Sequence, residues 1–128
     1  MAWLFIDSHD RGTIRYGWLD AKRIRVCTVF ARAGDILLNI AKERRLLKEA
    51  EGICVVAGPG SFSSVRTGVL HANLLSRLLK RPLVGVLAEE AQDLSILVKR
   101  LDSRKIKTSS YVAPLYDAEP NITTPKTS

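Results

Sequence analysis

The segment Gly58-Pro59-Gly60-Ser61-Phe62-Ser63 lies between an apolar run and a helical pattern. Backbone N–H groups at such a turn can cradle an anion at a helix N-terminus. It lacks the lysine of GxxxxGK[ST] and does not match GxGxxG. The same glycines therefore also read as the tight turn itself, with Ser61 or Ser63 capping the helix. Asp7 closes the first apolar run, where a two-metal nuclease would place one carboxylate, and Glu43 or Glu49 could supply another. The central apolar run ends Val56-Ala57-Gly58-Pro59 with no acid, so Asp7 reads first as a strand-end residue bonding turn amides. His9 falls in a turn, and His71 falls mid-helix with no His or carboxylate four residues away. There is no HExxH, no zinc spacing and no nucleophile elbow. From the residues alone we expect no catalytic, cofactor-binding or metal-ligating group.

These residues need a scaffold, and the hydropathy pattern supplies one. Ala2–Ile6, Thr13–Leu19 and Arg23–Phe30 read as strands, the last two alternating with period two, which predicts an antiparallel meander. Ala33, Ile36, Leu37, Ile40 and Leu47 switch to helical spacing and predict a first helix over 35–50. Ile53–Ala57 is apolar throughout, as a central strand buried on both faces should be. A second helix is expected over 63–80, a fully apolar strand over 83–87 and a third helix over 88–101. The order β-β-β-α-β-α-β-α, with right-handed crossovers, predicts an α/β fold with one mixed five-stranded sheet: a three-stranded antiparallel meander followed by βαβα. That is the topology of the ribonuclease H-like fold and of a single lobe of the actin-like ATPases. Residues 1–103 would form this lobe. Residues 104–128 would be a tail, with Tyr111–Tyr116 apolar enough to dock and the Ser/Thr/Pro-rich end poorly ordered.

With 128 residues, 46% hydrophobic and 26% charged, the chain is ordinary globular material of one-domain length. Its formal charge of +7 admits a polyanionic partner such as RNA, or simply a basic surface. Cys27 and Cys54 lie far apart inside apolar segments and read as reduced core residues. No basic segment precedes the first apolar run, and the longest uncharged stretch, 53–65, holds two glycines and a proline. We expect a cytoplasmic chain with no membrane contact.

The second helix is the most informative segment. Val65, Gly68, Val69, Ala72, Leu75 and Leu79 form one face, Leu70, Leu74 and Leu78 a separate ridge, and Arg66, Asn73 and Arg77 a polar stripe. A helix apolar nearly all round is covered on more than one side. Either the first helix covers the ridge, or another protein does. In the second case the contact would include Leu70, His71, Leu74 and Leu78, with Leu38 of the first helix beside them.

The run from Gly58 to Gly68 resembles the GPGSFTGLRxG signature of the TsaB family, with Gly58, Pro59, Gly60, Ser61, Phe62, Arg66 and Gly68 matching. Leu4-Phe5-Ile6-Asp7-Ser8 is similar to that family's LAIDTS opening, residues 35–40 to its LLPxI run, and residues 81–86 to its IPLVGV strand. Ala113-Pro114-Leu115-Tyr116 resembles its closing P-x-Y. Ser63-Ser64 stands where the signature has Thr-Gly, and where the family usually has a second lobe the third predicted helix runs almost directly into the tail. The resemblance implies a non-catalytic scaffold that pairs with the catalytic paralogue TsaD, on which the ATPase TsaE acts, in threonylcarbamoyl transfer to a tRNA adenosine. The tRNA contact would be indirect or weak, and the chain could form a homodimer when its partner is absent. The alternatives from other classes are a ribonuclease H-like metal-dependent nuclease and a homodimeric interaction module.

Overall fold

The computed structural model describes residues 2–10, 12–30, 35, 40–103 and 106–115, without the side chains of Phe30, Ala41 and Phe62. Strands β1 (Trp3–Asp7), β2 (Thr13–Asp20) and β3 (Arg23–Phe30) form the meander. Helix α1 (Arg44–Glu49), strand β4 (Gly52–Gly58), helix α2 (Phe62–Leu79), strand β5 (Leu83–Leu87) and helix α3 (Leu94–Asp102) follow. The sheet has five strands in the order β3-β2-β1-β4-β5. β1 pairs antiparallel with β2 and parallel with β4, and β4 pairs parallel with β5. This is the mixed sheet of an actin-like or ribonuclease H-like lobe, as the element order predicts.

Both faces of the sheet are covered. Leu4, Ile6, Ile14, Trp18, Ile53 and Val55 pack with Val65, Val69, Ala72 and Leu75 of α2, joined at the margin by Leu46 and Leu47 of α1. On the other face Trp3, Phe5, Leu19, Cys54, Val56, Val84 and Val86 pack with Leu97, Val98 and Leu101 of α3. Every residue of β1 and β4 is buried, which is why both read as unbroken apolar runs. Among the described residues no helix is long and apolar enough to cross a membrane.

Four local expectations are corrected. In place of the C-terminal part of one long first helix there is a 3-10 turn, Ala41–Glu43, followed by α1. Glu43 leaves helical geometry at φ −115°, ψ 48°, where its carboxylate accepts the Trp18 indole N–H at 2.7 Å. Residues 36–39, and Leu38 with them, lie outside the described residues. The third helix is likewise split, into a 3-10 turn at Ala88–Ala91 and α3. Asp93 begins α3 afresh by accepting the N–H groups of Ser95 and Ile96 at 3.0 and 3.3 Å, an N-cap that competes with continuing the preceding turn. Cys27 is exposed rather than in the core, because β3 is a sheet edge and its residues are largely uncovered. β5 is the opposite edge, so Gly85 and Leu87 are exposed where full burial was expected.

The chain after α3 returns along that edge. Ser109 N–H donates to Leu83 O at 2.7 Å, and Leu115 N–H donates to Ala57 O at 2.7 Å. Between them Val112, which is buried, is gripped by Asn73 of α2: the amide nitrogen of Asn73 donates to Val112 O, and its oxygen accepts Val112 N–H, both at 2.9 Å. Residues 116–128, including Tyr116, lie outside the described residues. Asn73→Ala leaves both Val112 backbone groups without a protein partner. It should cost about 1–3 kcal/mol in denaturant unfolding and speed amide exchange at Val112 while leaving exchange in β4 slow. Unchanged protection at Val112 would contradict this anchoring.

Candidate functional site

The carboxyl ends of β1 and β4 bring the sequence-level candidates together. Asp7 is 2% exposed, and all of its bonds are internal. One oxygen accepts the His9 backbone N–H at 3.0 Å and the His9 Nδ1. The other accepts Arg15 Nε at 2.9 Å and Nη2 at 2.6 Å, a bidentate grip across the β1–β2 pair in which the two residues sit opposite one another. Arg15 Nη2 donates further to Ala91 O at 3.1 Å, and its guanidinium lies 5.4 Å from the centroid of the Phe5 ring. Asp7 does bond a turn amide, as expected. The arginine that fills its second oxygen comes from the alternating run Thr13–Leu19, where its spacing marks no such role.

The nuclease constellation does not assemble. Glu43 accepts from Trp18 on the α2 side of the sheet, whereas Asp7 is held by Arg15 and Ala91 on the α3 side. Glu49 is exposed on α1. Among the described residues no group of three His, Cys, Asp or Glu side chains is arranged to hold a metal ion. A cation at Asp7 would have to displace an arginine already bonded through two nitrogens. Glu90, nearby in sequence to Ala91, is held below the usual carboxylate range by the Leu87 N–H and by Arg100, whose nitrogen lies 2.7 Å away.

The glycine turn is built by backbone contact. Gly58 sits at φ +121°, and a Cβ there would lie 2.1 Å from Leu115 O. A Cβ on Gly60 would lie 2.3 Å from His9 O, and that same oxygen accepts Ser61 N–H at 3.0 Å. Pro59 has no N–H, and Ser61 N–H is bonded to the chain itself. Ser61 makes no side-chain cap of α2. Instead Ser8 Oγ donates to Ser64 O at 2.7 Å, tying the exit of β1 to the first turn of the helix. Gly68 is buried within α2, and Phe62 opens that helix.

On the outer face of α2, Leu70, Leu74 and Leu78 are 61%, 44% and 69% exposed, so α1 does not cover the ridge. His71 lies at the ridge margin, with Nδ1 buried and without a hydrogen-bond partner, and burial pushes its pKa down. On the other flank, Arg66, Thr67, Leu70 and Asn73 line a groove of about 560 Å3 with Tyr111 and Pro114 of the returning chain. Four residues carry roles that hydropathy does not signal: Arg15, Asn73 and the Trp18–Glu43 pair. The available hint for Arg15 was its position across the hairpin from Asp7.

The family described as tRNA N6-adenosine threonylcarbamoyltransferase, TsaD, matches residues 34–118, more than half of the chain. The chain belongs to this family. Its structure is similar to YeaZ from Pseudomonas aeruginosa, with a TM-score of 0.59 and 20% identity, covering 68% of this chain and 45% of that one. It is also similar to an uncharacterized protein with similarity to peptidase YeaZ from Pseudomonas aeruginosa, with a TM-score of 0.59 and 22% identity over 81% of this chain and 49% of the other. These likenesses show a YeaZ-like fold. The chain spans about half the length of these proteins. No curated protein matches it.

Within this fold Asp7 is a structural hub. Asp7→Asn removes the charge that Arg15 is bonded to. Arg15 keeps 27% side-chain exposure, so the loss should fall at the low end for a broken buried pair, about 3 kcal/mol of unfolding free energy. Urea titration measures it, and a change within ±0.5 kcal/mol, the range typical of a neutral surface site, would contradict the hub assignment.

Proposed function

We propose that the chain is a non-catalytic subunit that docks through α2 on a TsaD-type catalytic paralogue and supports threonylcarbamoyl transfer to a tRNA adenosine. The observation carrying this reading is the leucine ridge: three large apolar side chains at helical spacing, exposed on a helix whose other face is core. Scattered exposed leucines are ordinary, but a continuous apolar stripe on one helix face is the form of a helix-packing surface. His71 beside it is held neutral by burial and adds no charge to the contact. Asp7, the residue that chemistry in this fold would ask for first, is bonded to Arg15 and His9, in keeping with a scaffold role. The reaction would then belong to the partner, with a TsaE-type ATPase acting on the pair. A homodimer through the same ridge is the second reading, favoured by the same exposed leucines.

Co-purification with the TsaD-type protein of the same source tests this directly, followed by a tRNA modification assay with and without the chain. Leu74→Glu puts a carboxylate into the ridge. It should weaken the pairing by about 3 kcal/mol, more than a hundredfold. The isolated chain should melt nearly as the wild type does, because Leu74 is 44% exposed there. A variant that melts normally and binds the TsaD-type protein at wild-type strength would overturn this placement of the contact.

A further inference from the structure

The two edges of the sheet are finished differently. Along β5 the returning chain lies close, with Ser109 N–H bonded to Leu83 O. At the other edge, β3 has one strand neighbour among the described residues, β2, over all 8 of its residues. Arg23, Ile24, Arg25, Cys27 and Thr28 are exposed. An uncovered edge of this length is a row of backbone N–H and C=O groups open to another strand. Its side chains alternate in chemistry as they alternate in direction. Arg25 and Cys27 stand opposite Trp18 and Tyr16 and share their face with Arg23 and Val29, on the α1 and α2 side. Ile24 and Val26 stand opposite Leu19 and Gly17 on the α3 side, where Val26 joins the margin of the core. β3 carries two arginines and no Asp or Glu. Behind Arg25, Lys42 lines the same hollow of about 190 Å3, together with Tyr16, Trp18, Cys27 and Glu43. The carboxylates of this face lie one strand inward: Glu43 accepts the Trp18 N–H, and Asp20 of β2 accepts the Lys22 N–H.

We propose that β3 accepts an extended segment of another protein as a sixth strand, one whose side chains alternate between carboxylates and apolar residues. Backbone bonds to β3 give the affinity, and the alternation gives the selection. The nearest side chains to an added strand are those directly across the new ladder, and on one face these are Arg23 and Arg25. Carboxylates on that face meet the arginines, and the apolar residues between them fall beside Ile24 and Val26. A slip of one residue would put the acids over Ile24 and Val26, so the same pattern also fixes the register. This surface is separate from the leucine ridge, which lies on the outer face of α2, whereas β3 is the sheet margin beyond β2. The inference therefore does not depend on what docks on α2.

A fluorescently labelled peptide alternating Glu and Val serves as the probe. Its controls are a peptide alternating Lys and Val, and one of the same Glu/Val composition with the Glu residues in a single block. Anisotropy at low ionic strength should find the alternating Glu/Val peptide bound to the full chain at least about tenfold more tightly than either control. Added salt should narrow its lead over the Lys/Val peptide. In Arg23→Glu/Arg25→Glu the preference between Glu/Val and Lys/Val should reverse. Amide exchange should slow across 23–30 when the peptide is bound and stay unchanged in α2. Circular dichroism melting checks that the variant folds; if it does not, the peptide comparison and the exchange pattern on the wild-type chain decide. No binding of the alternating Glu/Val peptide overturns the inference. Equal binding of the blocked peptide reduces the contact to plain charge attraction and overturns it too, as does slowed exchange confined to α2. Concentration-dependent protection of 23–30 in the chain alone would make the occupant a second copy, and overturns the assignment of an acidic strand.

Discussion

Three stretches of backbone meet at the end of β4, and there is no room between them for a single Cβ. The exit of β1 presents His9 O to Gly60 and to Ser61 N–H, and the returning chain presents Leu115 O to Gly58. Because the crowding is by carbonyl oxygens rather than by flexible side chains, no rearrangement of rotamers relieves it. From this knot α2 departs in a fixed direction, with Ser8 Oγ bonded to Ser64 O as a second tether. The direction of α2 then decides which of its faces meets Ile53 and Val55 and which carries the leucines outward. The glycines of the signature are thus requirements of chain crossing, and the outward ridge follows from them one step later.

The same strand end explains how a carboxylate can be conspicuous in sequence and yet sealed in structure. A buried acid needs its charge met nearby, and β1 and β2 meet it with the residue directly across the ladder, Arg15. The guanidinium's fork fills one oxygen, its outer nitrogen reaches Ala91 O beyond β5, and Phe5 lies beneath it. Meander, parallel strands and the turn before α3 are joined at one ion pair. A site engaged in this way organises the lobe and holds no open valence for a substrate.

The sheet was legible because β1 and β4 are buried on both faces and say so as unbroken apolar runs, while β2 alternates. The helix boundaries were less so. Glu43 and Asp93 look like ordinary helix residues by periodicity, and each interrupts a helix through one side-chain hydrogen bond, to Trp18 and to the amides of Ser95 and Ile96. Exposure at the sheet edges was misjudged for Cys27 and Leu87, since hydropathy reports a residue's preference and not whether a neighbouring strand exists. The signature turn could be recognised as a string of letters. That Gly60 and Ser61 N–H meet His9 while Gly58 meets Leu115 depends on contacts between residues more than fifty positions apart.

Folding alone does not account for the outer face of α2. Val65, Val69, Ala72 and Leu75 already supply the stripe that seals the helix onto the sheet, and Asn73 already fixes the returning chain. Leu70, Leu74 and Leu78 add no core contact at 61%, 44% and 69% exposure, and in water they bring a risk of non-specific association. A polar residue at any of these sites would cost the isolated lobe little. The apolar side chains fit a covered state. Leucines that seal no core are thus carried outward by one helix whose direction is set at Gly58 and Gly60.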